Sequence, residues 1–343
     1  MRAIKKNSKD KGIILTTSKI PKCNADEILI KVRTAGICGT DLHIFKWDNW
    51  SQGRVKPPLI IGHEFAGEIV KVGSNVKHLK EGQRVTAEGH ITCGVCRYCR
   101  CGQQHICKDV KIIGVDRDGC FADYLSVPAS NVWQINENIS DRHAVLFDPL
   151  GNAMHTVMAQ PVALKNIFIT GSGSIGLFAV LISKVIGAAK VIVVEPCTYK
   201  RELAVKVGAD YVLDPDEKDV KNKILEITNG FGPDVFLEMS GDTGAINLGL
   251  DLLSNGGSAS LLGIPSDDIS LKLSEKVIFK GITIKGITGR RFFETWFQCE
   301  NFLINYGKLT DPIITHSFDM ENIGAAFSLM EKNNMGKVLL NIN

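Results

Sequence analysis

Hydrophobic and polar positions alternate in two different textures along this chain. Up to about residue 150, short apolar runs at 12–15, 27–32, 67–73, 84–87 and 122–127 are separated by polar and Gly/Pro breaks. Short runs bounded by turn residues predict strands, so residues 1–150 read as a strand-rich, barrel-like domain with long loops. At Asn166 the pattern changes. Residues 167–170 predict a buried strand, and after a glycine-rich turn a helical pattern runs to about Gly187. Further strands are expected at 191–194, 211–213, 234–238, 258–262 and 282–285. They alternate with helices over 198–207, over 220–228 and up to Ser254. Such alternation predicts a parallel, doubly wound sheet and places the chain in the α/β class. From about Phe293 two helical patterns precede a strand at 337–341, and periodicity does not say which domain this stretch completes.

Length agrees with two domains, because 343 residues exceed one ordinary core. A hydrophobic fraction of 44% and a charged fraction of 22% are those of a soluble globular protein. Lysine and arginine number 40 against 37 acidic residues, with no basic block, so neither nucleic acid nor a membrane surface is expected as a partner. The most apolar stretch, 175–189, is interrupted by Ser183 and Lys184 and is too short to span a bilayer. Met1 to Asn7 carry charge without an apolar core, so no secretory signal is expected there. Ten cysteines then point to a reducing, cytoplasmic compartment, where neighbouring cysteines more often bind metal than pair.

Three constellations carry chemistry. Cys93, Cys96, Cys99 and Cys107 have spacers that let thiolates converge on one ion from a tight loop, as in a structural zinc site. A redox pair, unrelated core thiols or an iron–sulfur cluster are the alternatives, and Cys101 could substitute for Cys99. Gly171-Ser172-Gly173-Ser174-Ile175-Gly176 follows a predicted strand and opens a predicted helix, the context in which such a loop cradles a dinucleotide pyrophosphate. Glu195 ends the next strand, where a carboxylate binds ribose hydroxyls and repels a 2′-phosphate, favouring NAD over NADP, with Lys200 beside it. Finally, Gly62-His63-Glu64, taken with Cys38, offers an open zinc site of imidazole, carboxylate and thiolate. Asp148 could reach the same cleft or could be a turn residue before Pro149.

Cys38 with Thr40 and His43, Gly62-His63-Glu64, the four-cysteine loop and the glycine fingerprint together resemble the zinc-dependent medium-chain alcohol dehydrogenases. Segments 47–51, 88–94, 147–153 and 289–296 resemble the members that oxidise the side-chain hydroxyl of L-threonine to L-2-amino-3-oxobutanoate, the first step of threonine breakdown towards glycine. The resemblance implies a GroES-like catalytic domain (residues 1–150, completed by 294–343) and a Rossmann domain (151–293). It implies two zinc ions per chain, NAD as hydride acceptor, a small-molecule substrate and a homotetramer. By position, Cys38, His63 and Glu64 are the implied catalytic zinc ligands, Thr40 and His43 a proton relay, and Asp148 a catalytic carboxylate. The implied cofactor residues are Gly171, Gly173, Ile175 and Gly176 at the phosphate turn and Glu195 and Lys200 at the ribose. Leu262, Gly263 and Ile264 near the nicotinamide, then Gly286 and Ile287, complete that set. Glu195 stands where many relatives have aspartate, and Ser174 where proline is common. Trp50, His90 and Arg290 are candidates for holding the substrate's ammonium and carboxylate, with packing roles as the alternative. A zinc-dependent polyol or 2,3-butanediol dehydrogenase is the nearest rival. A zinc module for binding nucleic acid or protein leaves the glycine fingerprint unexplained.

Overall fold

The computed structural model describes residues 1–265 and 267–342. The first sheet begins with β1 (Glu27–Ile37), β2 (Glu64–Val72), β3 (Arg84–Ala87), β4 (Tyr124–Pro128) and β5 (Val132–Gln134). β1 lies antiparallel to both β2 and β4, and β3 joins β2 to β5. Ile28, Ile30, Val32, Ala35 and Ile37 of β1 bury into one apolar core with Phe65, Val85 and Leu125. β1 runs directly into α1 (Gly39–Lys46), and α2 (Asn49–Arg54) follows after the left-handed Trp47 and the capping Asp48.

α3 (Phe147–Met158) leads into the second sheet. The predicted alternative of a turn at Asp148 is not what forms: Phe147-Asp148-Pro149 is the first turn of α3, where proline's missing N–H costs nothing. This helix also runs across residue 150, the expected end of the first domain. The second sheet contains β6 (Asn166–Thr170), β7 (Lys190–Val194), β8 (Tyr211–Leu213), β9 (Val235–Glu238), β10 (Ser258–Leu261) and β11 (Thr283–Gly286). All are parallel, in the order 8-7-6-9-10-11. Its central strands β6, β7 and β9 are mostly apolar and buried because both faces are covered. Ile167, Ile169, Val191 and Val193 face one core with α3 and α4 (Ser174–Val185), while Phe168, Ile192 and Phe236 face another. The order reverses between β6 and β9, and at such a switch point ligands bind beyond the carboxyl ends of the strands.

The chain then returns to the first sheet. β12 (Ile314–Asp319) and β13 (Lys337–Asn341) pair with each other in parallel, and β13 pairs antiparallel with β1. The first sheet thus has the order 5-3-2-1-13-12, with β4 also on β1. β3, β8 and β13 have the predicted limits. β12 was not predicted, because Ile-Thr-His-Ser-Phe-Asp offers too few apolar positions without its partner strand. Among the described residues no helix is long and apolar enough to cross a membrane.

Candidate active site

The antiparallel register of β1 and β2 sets Gly36 opposite Glu64, which brings the residues after β1 against those before β2. A sulfur of Cys38, a ring nitrogen of His63 and a carboxylate oxygen of Glu64 consequently lie within 4.8 Å of one another. His63 is 7% exposed and Glu64 1%. Three protein ligands of these types make an open site suited to a catalytic zinc. Neither buried carboxylate oxygen of Glu64 has a hydrogen-bond partner among the described residues, and Oε2 has only the ion pair with Lys337, as expected of a carboxylate shaped to face an ion; the likewise unbonded His63 Nδ1 faces Asp41. Asp41, fully buried, stands behind His63 with Oδ1 3.9 Å from Nδ1. Its other oxygen accepts the Cys38 N–H at 2.9 Å and so closes the first turn of α1. Cys38 is thus the N-cap of α1 and Asp41 its third residue.

Burial pulls the His63 imidazole towards its neutral form, but the charge of Asp41, with Cys38 and Asp148, outweighs it and holds the ring up at about 10. Burial likewise pushes the Asp41 and Glu64 carboxyls up. The carboxyls are raised by burial and the imidazole by the acids around it, and a dication would compete with the retained protons for the same place.

Cys38 and Glu64 line a cleft of about 250 Å³ together with Asp148, Asn152, Lys200, Lys337 and the glycine loop from Gly173 to Gly176. Within that loop a Cβ on Gly173 would meet nothing within 4 Å, which leaves an open cradle at the start of α4, whereas a Cβ on Gly176 would overlap the Gly171 carbonyl. This is the division of labour expected of a pyrophosphate loop. Glu195 sits under the loop rather than at its rim: it is 4% exposed and accepts Ser172 N–H at 2.7 Å and Cys197 N–H at 3.0 Å. The predicted ribose carboxylate thus also braces the glycine turn. Lys200 Nζ donates to Asn333 Oδ1 across the cleft. Leu262, Gly263 and Ile264 follow β10, Gly286 ends β11 and Ile287 follows it, so all five lie at the carboxyl edge of the second sheet. Ile264 is 84% exposed.

Thr40 lies in the first turn of α1, its Oγ1 3.8 Å from Cys38 Sγ. His43, three residues on, is largely exposed and its Nδ1 pairs with Asp48. Asp48, which the sequence reading did not single out, also caps α2 by accepting Ser51 N–H at 3.0 Å. Trp50 packs edge-on to His43 at 6.1 Å.

Arg290 is 1% exposed, and its guanidinium is committed to acids: Nε to Glu88 Oε2 at 2.8 Å and a terminal nitrogen to Asp148 Oδ2 at 2.7 Å. Glu88, fully buried, also accepts the Trp296 indole at 2.9 Å and His90 Nδ1 at 2.7 Å. Arg290 and His90 are therefore held in one network that fixes Asp148, the packing alternative to free substrate ligands. Glu88 was missed because a lone buried acid leaves no periodic trace. Its one local partner is His90, two residues on, whereas Arg290 lies 202 positions away.

The four-cysteine loop closes as expected. Sγ–Sγ separations of 3.5 Å (Cys96–Cys99), 3.9 Å (Cys96–Cys107) and 3.6 Å (Cys93–Cys107) bracket the ~3.8 Å edge of a tetrahedron with Zn–S bonds of about 2.3 Å. Cys101 is exposed and lies outside the cluster, so Cys99 is the fourth thiol of the set.

Residues 24–137 match the family model of the alcohol dehydrogenase GroES-like domain, and residues 174–305 that of the zinc-binding dehydrogenases. The chain is 47% identical over 341 residues to an L-threonine 3-dehydrogenase of Pyrococcus abyssi, covering 99% of this chain and 98% of that one. Among solved structures, an alcohol dehydrogenase of Escherichia coli CFT073 complexed with NADH superposes with a TM-score of 0.90 at 28% identity, over 99% of each chain. The 2R,3R-butanediol dehydrogenase of Bacillus subtilis superposes equally well, with a TM-score of 0.90, at 25% identity over 100% of this chain and 99% of that one.

Proposed function

Because the chain belongs to the zinc-dependent medium-chain alcohol dehydrogenases, we propose that it oxidises the side-chain hydroxyl of L-threonine to give L-2-amino-3-oxobutanoate, with NAD⁺ as hydride acceptor. The observation that carries the chemistry is the convergence of Cys38, His63 and Glu64 at a cleft whose other wall is the glycine loop. The substrate is supported by the 47% identity, along nearly the whole chain, to a threonine dehydrogenase.

Cys38, His63 and Glu64 would hold the catalytic zinc, which when bound supplies a Lewis acid that polarises the substrate hydroxyl. Thr40 stands beside Cys38 and is placed to accept the hydroxyl proton. His43 lies one helical turn further on, towards solvent. Asp48 holds His43 Nδ1 and leaves Nε2 as the acceptor that passes the proton outward. Asp148, clamped by Arg290, keeps its carboxylate facing the cleft. The finer parts of the proposal are a second, structural zinc at Cys93, Cys96, Cys99 and Cys107, NAD⁺ in preference to NADP⁺, the two-domain division named above, and a cytoplasmic homotetramer. The thiol geometry supports the second zinc, and the carboxylate of Glu195 beside the glycine loop supports NAD⁺.

Measuring NADH and NADPH formation with L-threonine, sorbitol and 2,3-butanediol tests the reading. Turnover of L-threonine with NAD⁺ well above the other combinations is expected; faster turnover of a diol would transfer the assignment to the rival activity.

A further inference from the structure

A buried lysine stands beside the metal site with no part in the chemistry above. Lys337 opens β13 and is 1% exposed; its Nζ pairs with Glu64 Oε2 and donates to the Ile37 carbonyl at 3.0 Å. Desolvating an ammonium costs several kcal/mol, so a lysine so placed survives only through specific partners. The register explains how they meet. Glu64 lies opposite Gly36, and Gly36 opposite Leu339. Directly opposed residues share a sheet face, and Lys337, two positions before Leu339, shares it as well. The two charged side chains therefore cross over Gly36. A methyl there would overlap Glu64 Oε2 and would lie 2.8 Å from Val145 Cγ1 and 2.9 Å from Lys337 Cε. Glycine in a strand interior ordinarily weakens the strand, and here its absent side chain is the space the ion pair occupies.

We propose that Lys337, seated through Gly36, is a positioning residue: it holds Glu64 Oε2 away from the metal, so that Glu64 presents one oxygen, Oε1, beside Cys38 and His63. A carboxylate can bind a metal through one oxygen or two. Two would fill the open position that a catalytic site keeps for its substrate. Lys337 occupies the second oxygen and places a positive charge behind the carboxylate, which lowers the pull of the site on a dication. The proposal rests on the reading of Cys38, His63 and Glu64 as the metal site.

The test is the rate of zinc release to a chromogenic chelator from the wild type, Lys337→Gln, Lys337→Arg, Glu64→Gln and the Glu64→Gln/Lys337→Gln double variant. Circular dichroism and retention of the four-cysteine zinc report the fold. Glutamine keeps a donor for the Ile37 carbonyl while removing the charge. Release from the three-residue site is expected to slow at least about tenfold, equivalent to ~1.4 kcal/mol, in Lys337→Gln. Lys337→Arg should return it close to the wild-type rate, and Lys337→Gln should have no further effect once Glu64 is glutamine. Equal release from folded wild type and Lys337→Gln, or the same slowing without the Glu64 charge, overturns the proposal. If Lys337→Gln does not fold, Gly36→Ala displaces Oε2 with both charges kept; slower release is then expected, and an unchanged rate again overturns it. Failure of the metal-site reading looks different: Cys38→Ser and wild type would then release the same number of zinc ions.

Discussion

At the scale of single residues, the site works through side chains that each answer to a neighbour. Cys38 is the only thiol of the three-ligand set. Cys38→Ser should therefore lower the zinc content from two ions to one per chain, the four-cysteine ion remaining, as counted by elemental analysis. His43 depends on Asp48 for its orientation. Asp48→Asn and His43→Ala should both lower turnover, by on the order of 10²-fold for the alanine variant, and added imidazole should restore activity to His43→Ala alone. Glu88 supplies a pH-dependent prediction. Burial would push its carboxyl up, but Arg290's charge and the hydrogen bonds from His90 and Arg290 reverse this and hold it well below the usual carboxylate range. A depressed folded-state pKa gives stability that is fully present above the ordinary glutamate value of about 4.3 and is lost as the pH falls below it. Glu88→Gln should cost about 3–5 kcal/mol at pH 7, with a shallower loss of stability on acidification than the wild type, measured by urea unfolding at pH 7 and pH 4. These residues also mark how far the sequence is readable. Cys38, His63 and the four thiols declare themselves by type and spacing. Glu88 and Lys337 act through partners 202 and 300 residues away, and no local pattern announces a contact at that range; Asp41 and Asp48 have near partners, but short-range acids read equally well as ordinary helix caps.

At the scale of elements, position is set by how each strand or helix begins. β1 ends at Ile37, and α1 starts with Cys38 as its cap, so the thiol sits at a fixed corner rather than on a mobile loop. α3 carries Asp148 in its first turn and Gly151 one turn later against Arg290. A Cβ at Gly151 would approach Arg290 Cγ at 2.8 Å. Gly151→Ala, harmless by helix propensity, should instead destabilise the protein by about 1–3 kcal/mol through overpacking and should loosen Asp148. A lower thermal midpoint together with reduced turnover would bear this out. The central strands of the second sheet were legible because both faces are buried and nearly every position is apolar, whereas β12 was hidden by its polar alternation. α3 was obscured by its Asp-Pro start, which reads as a turn until the apolar face of Phe147, Leu150 and Met154 is counted.

At the scale of the whole molecule, the first sheet is built from both ends of the chain. β13 covers the edge of β1 and contributes Val338 and Leu340 to its core. A chain stopped before β13 should fold its parallel sheet and leave β1 with an exposed apolar edge, giving an insoluble product in a fractionation assay. The two-domain texture was legible from the change of pattern near residue 166, but the return of the last strands was not, because pairing between distant segments leaves no periodic mark. That return also puts the assembly of the centre on a clock. Lys337 is made 300 residues after Ile37. At about 5–20 residues per second, the thiol, imidazole and carboxylate of the site wait roughly 15–60 s for their counter-charge during synthesis. In that interval the nascent protein holds an unclamped Glu64, so an ion captured early would be bound by both carboxylate oxygens, and the arrival of β13 would pull one of them away. On the proposal for Lys337, the closing strand is therefore the element that would turn a tight trap into a working site.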